Sequence, residues 1–450
     1  MRVFNKILLL LYFVFLNILD GVSSIRTNVI NNDLNQFVQI LRTFSLSNVD
    51  ASSILLNPSN YVKYYSGLKN EDLYLNAPQL IKKYGYPVET HHVTTKDGYI
   101  LTLFRIRCGS IPVLLFHGLL LSADDFIIAG PNEGLAYLLA AAGYDVWLAN
   151  ARGTKYSRRH ETLNPDKDSK YWNFTFHEIG VIDTPTIIDY ILDVTGYSKL
   201  IYIGHSQGTC IFFVMCSEYP EYNDKVYIMF AMAPVAYICN MKSPSFRALA
   251  YFVDEEYFLY KHLGYPNEVL PSNALTKAIS GIVCGIAGLA VATLVCTNIA
   301  FTFFGYNYSL MNVTNIPNIA QHAPSGASVK QILHYFQEVN SCNFQQFDYG
   351  QKKNIQMYGN KTAPPYYLER VKAPVFIFYG DNDWLVDPKD AWKTRSQLQN
   401  VIEFYKVPYS KFNHLDYLWA INPKTLVYNK ILKVLRKFGL NSKDTMCSKK

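Results

Sequence analysis

Residues 200–209 read LIYIGHSQGT, and this stretch decides the fold class. Its apolar first part, Leu200–Ile203, predicts a buried strand, and the residues after the stretch predict a helix. Gly204 and Gly208 stand two residues before and two residues after Ser206. A turn from strand to helix that is tight enough to expose a serine needs residues without side chains at those two positions. The stretch therefore predicts a strand, a tight turn that presents Ser206, and a helix.

Short apolar strands alternate with helical patterns on both sides of this turn. The other predicted strands are Val113–Phe116, Asp145–Ala149, Val226–Ala231, Val375–Tyr379 and Ile402–Val407. Such alternation is typical of the α/β class, in which a mainly parallel sheet is flanked by helices. Mostly helical patterns interrupt the alternation between residues 235 and 370, and they predict a helical insertion.

The N-terminus has the layout of a cleaved secretory signal. Arg2 and Lys6 precede the apolar run Ile7–Leu19, and small residues follow as far as Ser24. A membrane anchor is the alternative, but the run is short for a bilayer span. The predicted organisation is a signal peptide at 1–24, a loose polar leader at 25–69, a core at 70–234 and 371–438, a cap at 235–370, and a basic tail at 439–450.

Composition and charge exclude several classes of protein. Hydrophobic residues make up 50% of the chain and charged residues 17%, which excludes wholesale disorder. The 42 basic and 35 acidic side chains are scattered and predict no nucleic-acid partner. The eight cysteines are widely spaced, so the sequence predicts no disulfide scaffold and no metal site. N-glycosylation in the secretory pathway is predicted from the sequons at Asn173, Asn307, Asn312 and Asn360.

Ser206 requires a base, and the base requires a carboxylate that orients it. His414 follows the last predicted strand, where this type of fold places its base. Three aspartates follow the preceding strand, and Asp383 is preferred because it lies four residues beyond the strand end at Tyr379. Asp381 is closer to the strand, and Asp387 suits the cap of the helix that Pro388 opens. Asp387 remains the alternative acid.

Two backbone N–H groups are predicted to form an oxyanion hole. One belongs to Gln207, directly after the serine, and the other to Leu119, which follows His117 and Gly118 at the end of an early strand. His117 is interpreted as a support for this loop. His205 is interpreted as a packing or hydrogen-bonding residue of the turn.

With these residues assembled, the sequence resembles the acid lipase family, which comprises the gastric and lysosomal acid lipases and their insect relatives. The likeness extends from about residue 70 to about residue 438. The matching stretches are GYIL at 98–101, HGL at 117–119, GYDVWL at 143–148, ARG at 151–153, GHSQGT at 204–209, APV at 233–235 and NHLD at 413–416.

The resemblance implies an α/β-hydrolase core with a helical cap and the hydrolysis of neutral lipid esters. Triacylglycerols are the implied substrates, with cholesteryl esters in some members, and no cofactor is implied. The implied nucleophile is Ser206, the acid Asp383 and the base His414. The cap disulfide of the family would map to Cys284 and Cys296.

The segment Ala278–Phe304 carries no charge and is long enough to span a bilayer. Ser206 precedes it, whereas Asp383 and His414 follow it, so a span would separate the nucleophile from its base. The sequence therefore predicts a cap or lid segment, with no transmembrane span in the mature protein. Its uncharged face suits a surface that meets lipid substrate at a lipid–water interface, and burial of the cap helices against the core is the alternative.

Two functions other than ester hydrolysis remain open from the sequence. One is a non-catalytic lipid-binding or storage protein on a lipase fold, and the other is a membrane-anchored interaction protein. For the enzyme, the predicted location is the secretory pathway, leading either to secretion or to the lysosome.

Overall fold

The computed structural model describes residues 70–251, 253, 267–273, 300–441 and 447. The predicted signal peptide and leader, both Cys284 and Cys296, and all but the last residues of Ala278–Phe304 lie outside the described residues. Among the helices that the structure does describe, none has the length and apolar character needed to cross a membrane.

The strands of the described residues belong to two sheets. Their bounds are β1 Glu89–Thr94, β2 Ile100–Arg107, β3 Pro112–Phe116, β4 Asp145–Leu148, β5 Leu200–His205, β6 Val226–Met232, β7 Glu268–Val269, β8 Ala327–Ser328, β9 Val375–Tyr379 and β10 Val401–Lys406. Within this part of the chain, eight strands form the larger sheet in the order β1-β2-β4-β3-β5-β6-β9-β10. β7 and β8 pair as a separate antiparallel ribbon.

The larger sheet is mainly parallel, which confirms the predicted α/β class. All neighbouring pairs from β4 to β10 are parallel, whereas β1 with β2 and β2 with β4 are antiparallel. Every residue of β3 and β5 is buried, because helices cover both faces of the central strands. The two strands with antiparallel neighbours at the beginning of the sheet, β1 and β2, are not among the strands predicted from the sequence.

Helices flank the sheet, and four of those in the described residues lie between β6 and β9. Their bounds are α1 Ala77–Lys83, α2 Leu135–Ala141, α3 Phe176–Glu178, α4 Thr184–Thr195, α5 Gln207–Glu218, α6 Pro244–Tyr251, α7 Ile316–His322, α8 Val329–Ser341, α9 Gln351–Tyr358, α10 Pro388–Gln397, α11 Asp416–Trp419 and α12 Asn429–Lys437. The predicted helix after Ser206 is α5, and nearly all of its residues are buried.

The chain between β6 and β9, called the insert below, contains helices α6 to α9. Its helix α8 packs on α6, and the Asn340 side chain donates to the Ala250 carbonyl over 2.7 Å. On the core side, the ring of His334 stacks on Phe176 with 3.9 Å between ring centroids. Helix α8 is therefore held both within the insert and against the core.

A disulfide joins the end of β2 to the C-terminus. Cys108 is bonded to Cys447 across a sequence separation of 339 residues. The spacing of the cysteines did not predict this bond, because distance along the sequence says nothing about residues that the fold brings together. The other cysteines that the structure describes form no disulfide, and they are Cys210, Cys216, Cys239 and Cys342.

We expect Cys108→Ser and Cys447→Ser each to lower the free energy of unfolding by about 2 to 5 kcal/mol, because the bond restricts a long loop of the unfolded chain. The measurement is the melting temperature without reductant, together with peptide mapping of the intact bond. The double variant should lose no more than either single variant. Losses that add in the double variant would show that the two thiols act separately.

Candidate active site

The turn at the end of β5 holds Ser206 in a strained conformation. Its backbone has φ 52° and ψ −115°, a region that residues with side chains rarely occupy. A Cβ on Gly208 would lie 2.2 Å from the Phe116 carbonyl oxygen, and one on Gly204 would lie 2.6 Å from Gly208. Both positions therefore require glycine, as the spacing around the serine predicted.

A continuous hydrogen-bond chain links Ser206, His414 and Asp383. The His414 Nε2 atom lies 2.8 Å from the Ser206 Oγ atom, and Nδ1 lies 3.0 and 2.9 Å from the two Asp383 oxygens. With its hydrogen on Nδ1, the imidazole donates to Asp383 and accepts from the Ser206 hydroxyl. The backbone N–H groups of Leu385 and Val386 donate to Asp383 and hold its carboxylate in place.

The other two candidate acids point elsewhere. Asp387 accepts from the Lys389 N–H over 2.9 Å at the start of α10, and it pairs with the Lys242 ammonium at 2.7 Å. Asp381 pairs with Lys406 at 2.5 Å. The structure therefore brings the preferred acid, Asp383, to the histidine, and it does not bring the alternative, Asp387.

The two predicted oxyanion donors flank the serine. Gln207 is the first residue of α5, where an N–H has no partner within the helix. Leu119 is the residue after Gly118, and Gly118 lies close to the serine. A Cβ added to Gly118 would stand 3.2 Å from the Ser206 Cβ. Among the described residues, no protein acceptor is found for either N–H. Both donors are therefore available near the serine.

Two buried histidines support the loops around the serine. His117 donates from Nδ1 to the Gly118 carbonyl at 2.7 Å and accepts the Ala151 N–H at Nε2 over 3.1 Å. His205 donates from Nε2 to the His414 carbonyl at 2.9 Å. Burial lowers the pKa of His117 to about 4 and that of His205 to about 3, so both rings are neutral. These contacts fit the supporting roles predicted for both residues.

The Ala151 loop is itself anchored by a buried guanidinium that sequence reasoning did not identify as part of the site. Arg152 donates to Asp183 over 2.6 and 2.8 Å and to Asp97 over 2.6 and 3.0 Å. It also lies 3.9 Å from the centre of the Tyr99 ring. Separating Arg152 from Asp183 would leave an uncompensated buried charge, which is energetically costly. The ion pair therefore holds the Ala151 loop in position.

The insert reaches the loops that carry the base and the acid. The Phe304 ring stacks on the His414 ring with 6.1 Å between centroids. The Asn413 side chain donates to the Gly305 carbonyl, and the Asn382 side chain donates to the Tyr306 carbonyl, both over 2.8 Å. The uncharged segment predicted from the sequence thus ends in direct contact with the base.

Asn307 contradicts one predicted glycosylation site. Its side chain is 1% exposed, and its Nδ2 atom donates to the buried Asp416 carboxylate over 2.6 Å. A glycan is attached to that nitrogen and needs a surface position, so the prediction at Asn307 is wrong. Asn173 and Asn360 are exposed and Asn312 is partly exposed, and glycosylation there stays a prediction.

The parallel sheet and the strained serine turn at the end of its central strand β5 define an α/β hydrolase. A family model described as alpha/beta hydrolase fold matches residues 111–261, and a model described as partial alpha/beta-hydrolase lipase region matches residues 77–130.

Curated relatives match most of the chain. Lipase 1 of Drosophila melanogaster is 43% identical over 370 residues, which cover 82% of this chain and 81% of the relative. Gastric triacylglycerol lipase of Bos taurus is 37% identical over 377 residues, covering 82% and 92%. The chain therefore belongs to the acid lipase family, as its motifs predicted, and it is a carboxylic ester hydrolase.

A solved structure supports the fold alone. A protein from Sulfolobus solfataricus superposes with a TM-score of 0.53 at 13% identity, covering 78% of this chain and 94% of the other.

We expect the free energy of unfolding of the natural protein to fall as the pH rises, and we expect Asp416→Asn to remove part of that fall. Burial, reinforced by the nearby Asp383, raises the pKa of Asp416 to about 7, although the Asn413 N–H and the Asn307 side chain oppose the rise. The protonated carboxyl therefore stabilises the fold fully below pH 4, and this contribution is lost as the pH rises towards 7.

The measurement is the melting temperature at intervals between pH 4 and pH 7.5. The advantage of Asp416→Asn over the natural protein should grow across that range, by an amount on the order of 3 to 4 kcal/mol in the free energy of unfolding. Asp381→Asn is the control for loss of a carboxylate near the site. A constant difference between Asp416→Asn and the natural protein would contradict the prediction.

Proposed function

We propose that the protein hydrolyses neutral lipid esters through an acyl-enzyme formed on Ser206. Triacylglycerols are the first candidate substrates, and cholesteryl esters are the second. The observation that carries the proposal is the unbroken chain from Asp383 through His414 to Ser206 at a strained turn. The name of the bovine relative, gastric triacylglycerol lipase, supports the substrate class.

Acylation begins when His414 takes the proton from the Ser206 hydroxyl as the oxygen attacks the ester carbonyl. Asp383 holds the imidazole in the tautomer that can accept this proton and stabilises the cation that forms. The tetrahedral intermediate collapses as His414 gives the proton to the departing alcohol oxygen. The products of this half-reaction are the free alcohol and a fatty acyl group on Ser206.

Deacylation repeats the sequence with water in place of the serine. His414 takes a proton from water, the hydroxide attacks the acyl carbonyl, and the proton passes to the Ser206 oxygen as the fatty acid leaves. In both halves the negative charge forms on the former carbonyl oxygen. The N–H groups of Leu119 and Gln207 would stabilise it, and the N-terminus of α5 adds a favourable dipole.

The surroundings of the base suit an apolar acyl chain. Phe304 lies over His414, and the Phe246 ring lies 5.1 Å from Phe303 and 6.4 Å from Phe304. These three rings are only partly buried, so the cluster retains apolar surface, and Phe304 places part of it beside the base. An aromatic wall at this position favours a hydrocarbon chain over a polar acid group.

The proposed location is the secretory pathway, with either secretion or lysosomal residence as the end point. The disulfide between Cys108 and Cys447 supports an oxidising compartment, in which such bonds persist. The exposed side chains of Asn173 and Asn360 support access for glycosylation.

We expect Ser206→Ala to lower kcat on emulsified trioleoylglycerol by at least about 10⁴-fold, because the nucleophile is removed. Asp383→Asn should cost about 10⁴-fold, because the imidazole loses the acid that orients it. Asp387→Asn is the matched control and should stay within a few-fold of the natural enzyme, since Asp387 caps α10 and does not contact the base. Initial rates of fatty acid release are the measurement.

Circular dichroism and melting temperature establish that each variant is folded. Labelling by a fluorescent phosphonate distinguishes an enzyme from a lipid carrier, because a carrier needs no activated serine. Folded natural protein that is neither labelled nor active would favour the carrier. A loss in Asp387→Asn as large as that in Asp383→Asn would overturn the assignment of the acid.

A further inference from the structure

The side chain of Gln207 is held by the insert. Its Oε1 atom accepts one hydrogen bond from the Gln331 side-chain nitrogen and a second, over 3.1 Å, from the Tyr335 hydroxyl. Both donors lie on α8, one helical turn apart. Gln207 and Gln331 are each 2% exposed and Tyr335 is 9% exposed, so water does not compete for these bonds.

The peptide group that joins Ser206 to Gln207 carries the proposed oxyanion donor. The carbonyl of that peptide accepts from the Thr209 N–H over 2.8 Å and from the Thr209 hydroxyl over 2.6 Å. The Thr209 hydroxyl in turn accepts the N–H of Val235, at the beginning of the insert, over 2.8 Å. The insert thus restrains this peptide from two sides, indirectly through the Thr209 hydroxyl that donates to its carbonyl and through the Gln207 side chain.

Neither contact is required for the helix to form. Gln207 is the first residue of α5, and its N–H belongs to no ladder of helical hydrogen bonds. The preceding residue, Ser206, has a strained backbone, which gives the peptide a tendency to rotate towards a relaxed conformation. The N–H groups of Thr209 and Cys210, in the first turn of α5, hold the carbonyl of this peptide over 2.8 and 3.3 Å. The contacts with the insert restrain the peptide further, through the Thr209 hydroxyl and the Gln207 side chain.

We propose that Gln331 and Tyr335 are positioning residues, through which helix α8 of the insert orients the oxyanion donor of Gln207. The inference rests on the proposed function and extends it, because it makes the rate of the chemical step depend on how the insert is docked. Stabilisation of an oxyanion requires donors that are already oriented before charge develops. Loosening of the Gln207 side chain should therefore reduce kcat more than it changes substrate binding.

The experiment measures kcat and KM on p-nitrophenyl butyrate, a soluble ester that removes the lipid interface from the assay. The test variants are Gln331→Leu, Tyr335→Phe and the double variant. The matched control is Gln337→Leu on the same helix, because Gln337 exchanges its hydrogen bonds with Asp348 and not with Gln207. Melting temperature establishes that each variant is folded.

We expect Gln331→Leu to lower kcat about 10-fold and the double variant more than either single change, with KM within about twofold in each. The rate of phosphonate labelling of Ser206 should fall in parallel, because the labelled adduct also places an oxygen in the oxyanion hole. Gln337→Leu should keep the kcat and labelling rate of the natural enzyme.

Gln331→Glu separates orientation from packing. The carboxyl that replaces the amide can donate to Gln207 when it is protonated and cannot when it is ionised. At low pH this variant should have the kcat of the natural enzyme, and its kcat should fall below that of the natural enzyme as the pH rises. The pH profile of kcat should therefore show one ionisation that is absent from the profile of the natural enzyme. A role in packing alone would change the melting temperature without adding that ionisation.

Two outcomes overturn the inference, and they are distinguishable. If the natural protein is active and labelled but the folded Gln331→Leu, Tyr335→Phe double variant keeps its kcat, the inference alone is wrong. If the folded natural protein neither hydrolyses p-nitrophenyl butyrate nor reacts with the phosphonate, the proposed function is wrong and the inference falls with it.

Discussion

The contact between the nucleophile helix and the neighbouring strand is the constraint on which the site depends. Gly208, in the first turn of α5, lies so close to the end of β3 that a Cβ would stand 2.2 Å from the Phe116 carbonyl oxygen. This approach brings the beginning of α5 beside the loop that follows β3. It therefore places Gln207 and Leu119, from distant parts of the sequence, on either side of Ser206.

The strain at Ser206 is tolerated because several independent contacts hold this residue in position. Its N–H donates to the Met232 carbonyl on β6, and its carbonyl is held by Thr209. The histidine that faces it is fixed by Asp383 through the ring and by His205 through the backbone. A conformation that costs about 1 to 3 kcal/mol persists only where such contacts outweigh its cost.

The sequence predicted the features that depend on local spacing. The two glycines around Ser206 determine the turn. The distance from the strand end at Tyr379 favoured Asp383 as the acid, and the residue before Pro388 suited Asp387 to a helix cap, although Asp387 remained the alternative. The central strands were recognised because they are buried on both faces and read as continuous apolar runs. The antiparallel strand β1 is partly exposed and has no such run.

Features that depend on distant parts of the chain could not be predicted in this way. The sequon at Asn307 is indistinguishable from the others in sequence, and only the fold places its side chain against Asp416. Cys108 and Cys447 form a disulfide although 339 residues separate them in the sequence. Gln331 and Tyr335 fit the ordinary pattern of a helix face, and nothing in their spacing indicates that they meet Gln207.

Contacts of this kind hold two parts of the insert to the site. Displacing residues 304–306 would leave the side-chain nitrogens of Asn382 and Asn413 without those carbonyl acceptors, next to the acid and the base. Displacing α8 would leave the Gln207 oxygen unpaired in a buried site, and a buried polar atom without a partner is costly. Both parts therefore belong to the site during catalysis. If the acid, the base and the Gln207 donor are to keep their geometry, both contacts have to stay in place while the substrate enters. The substrate therefore has to reach Ser206 from a side of the site that neither contact closes.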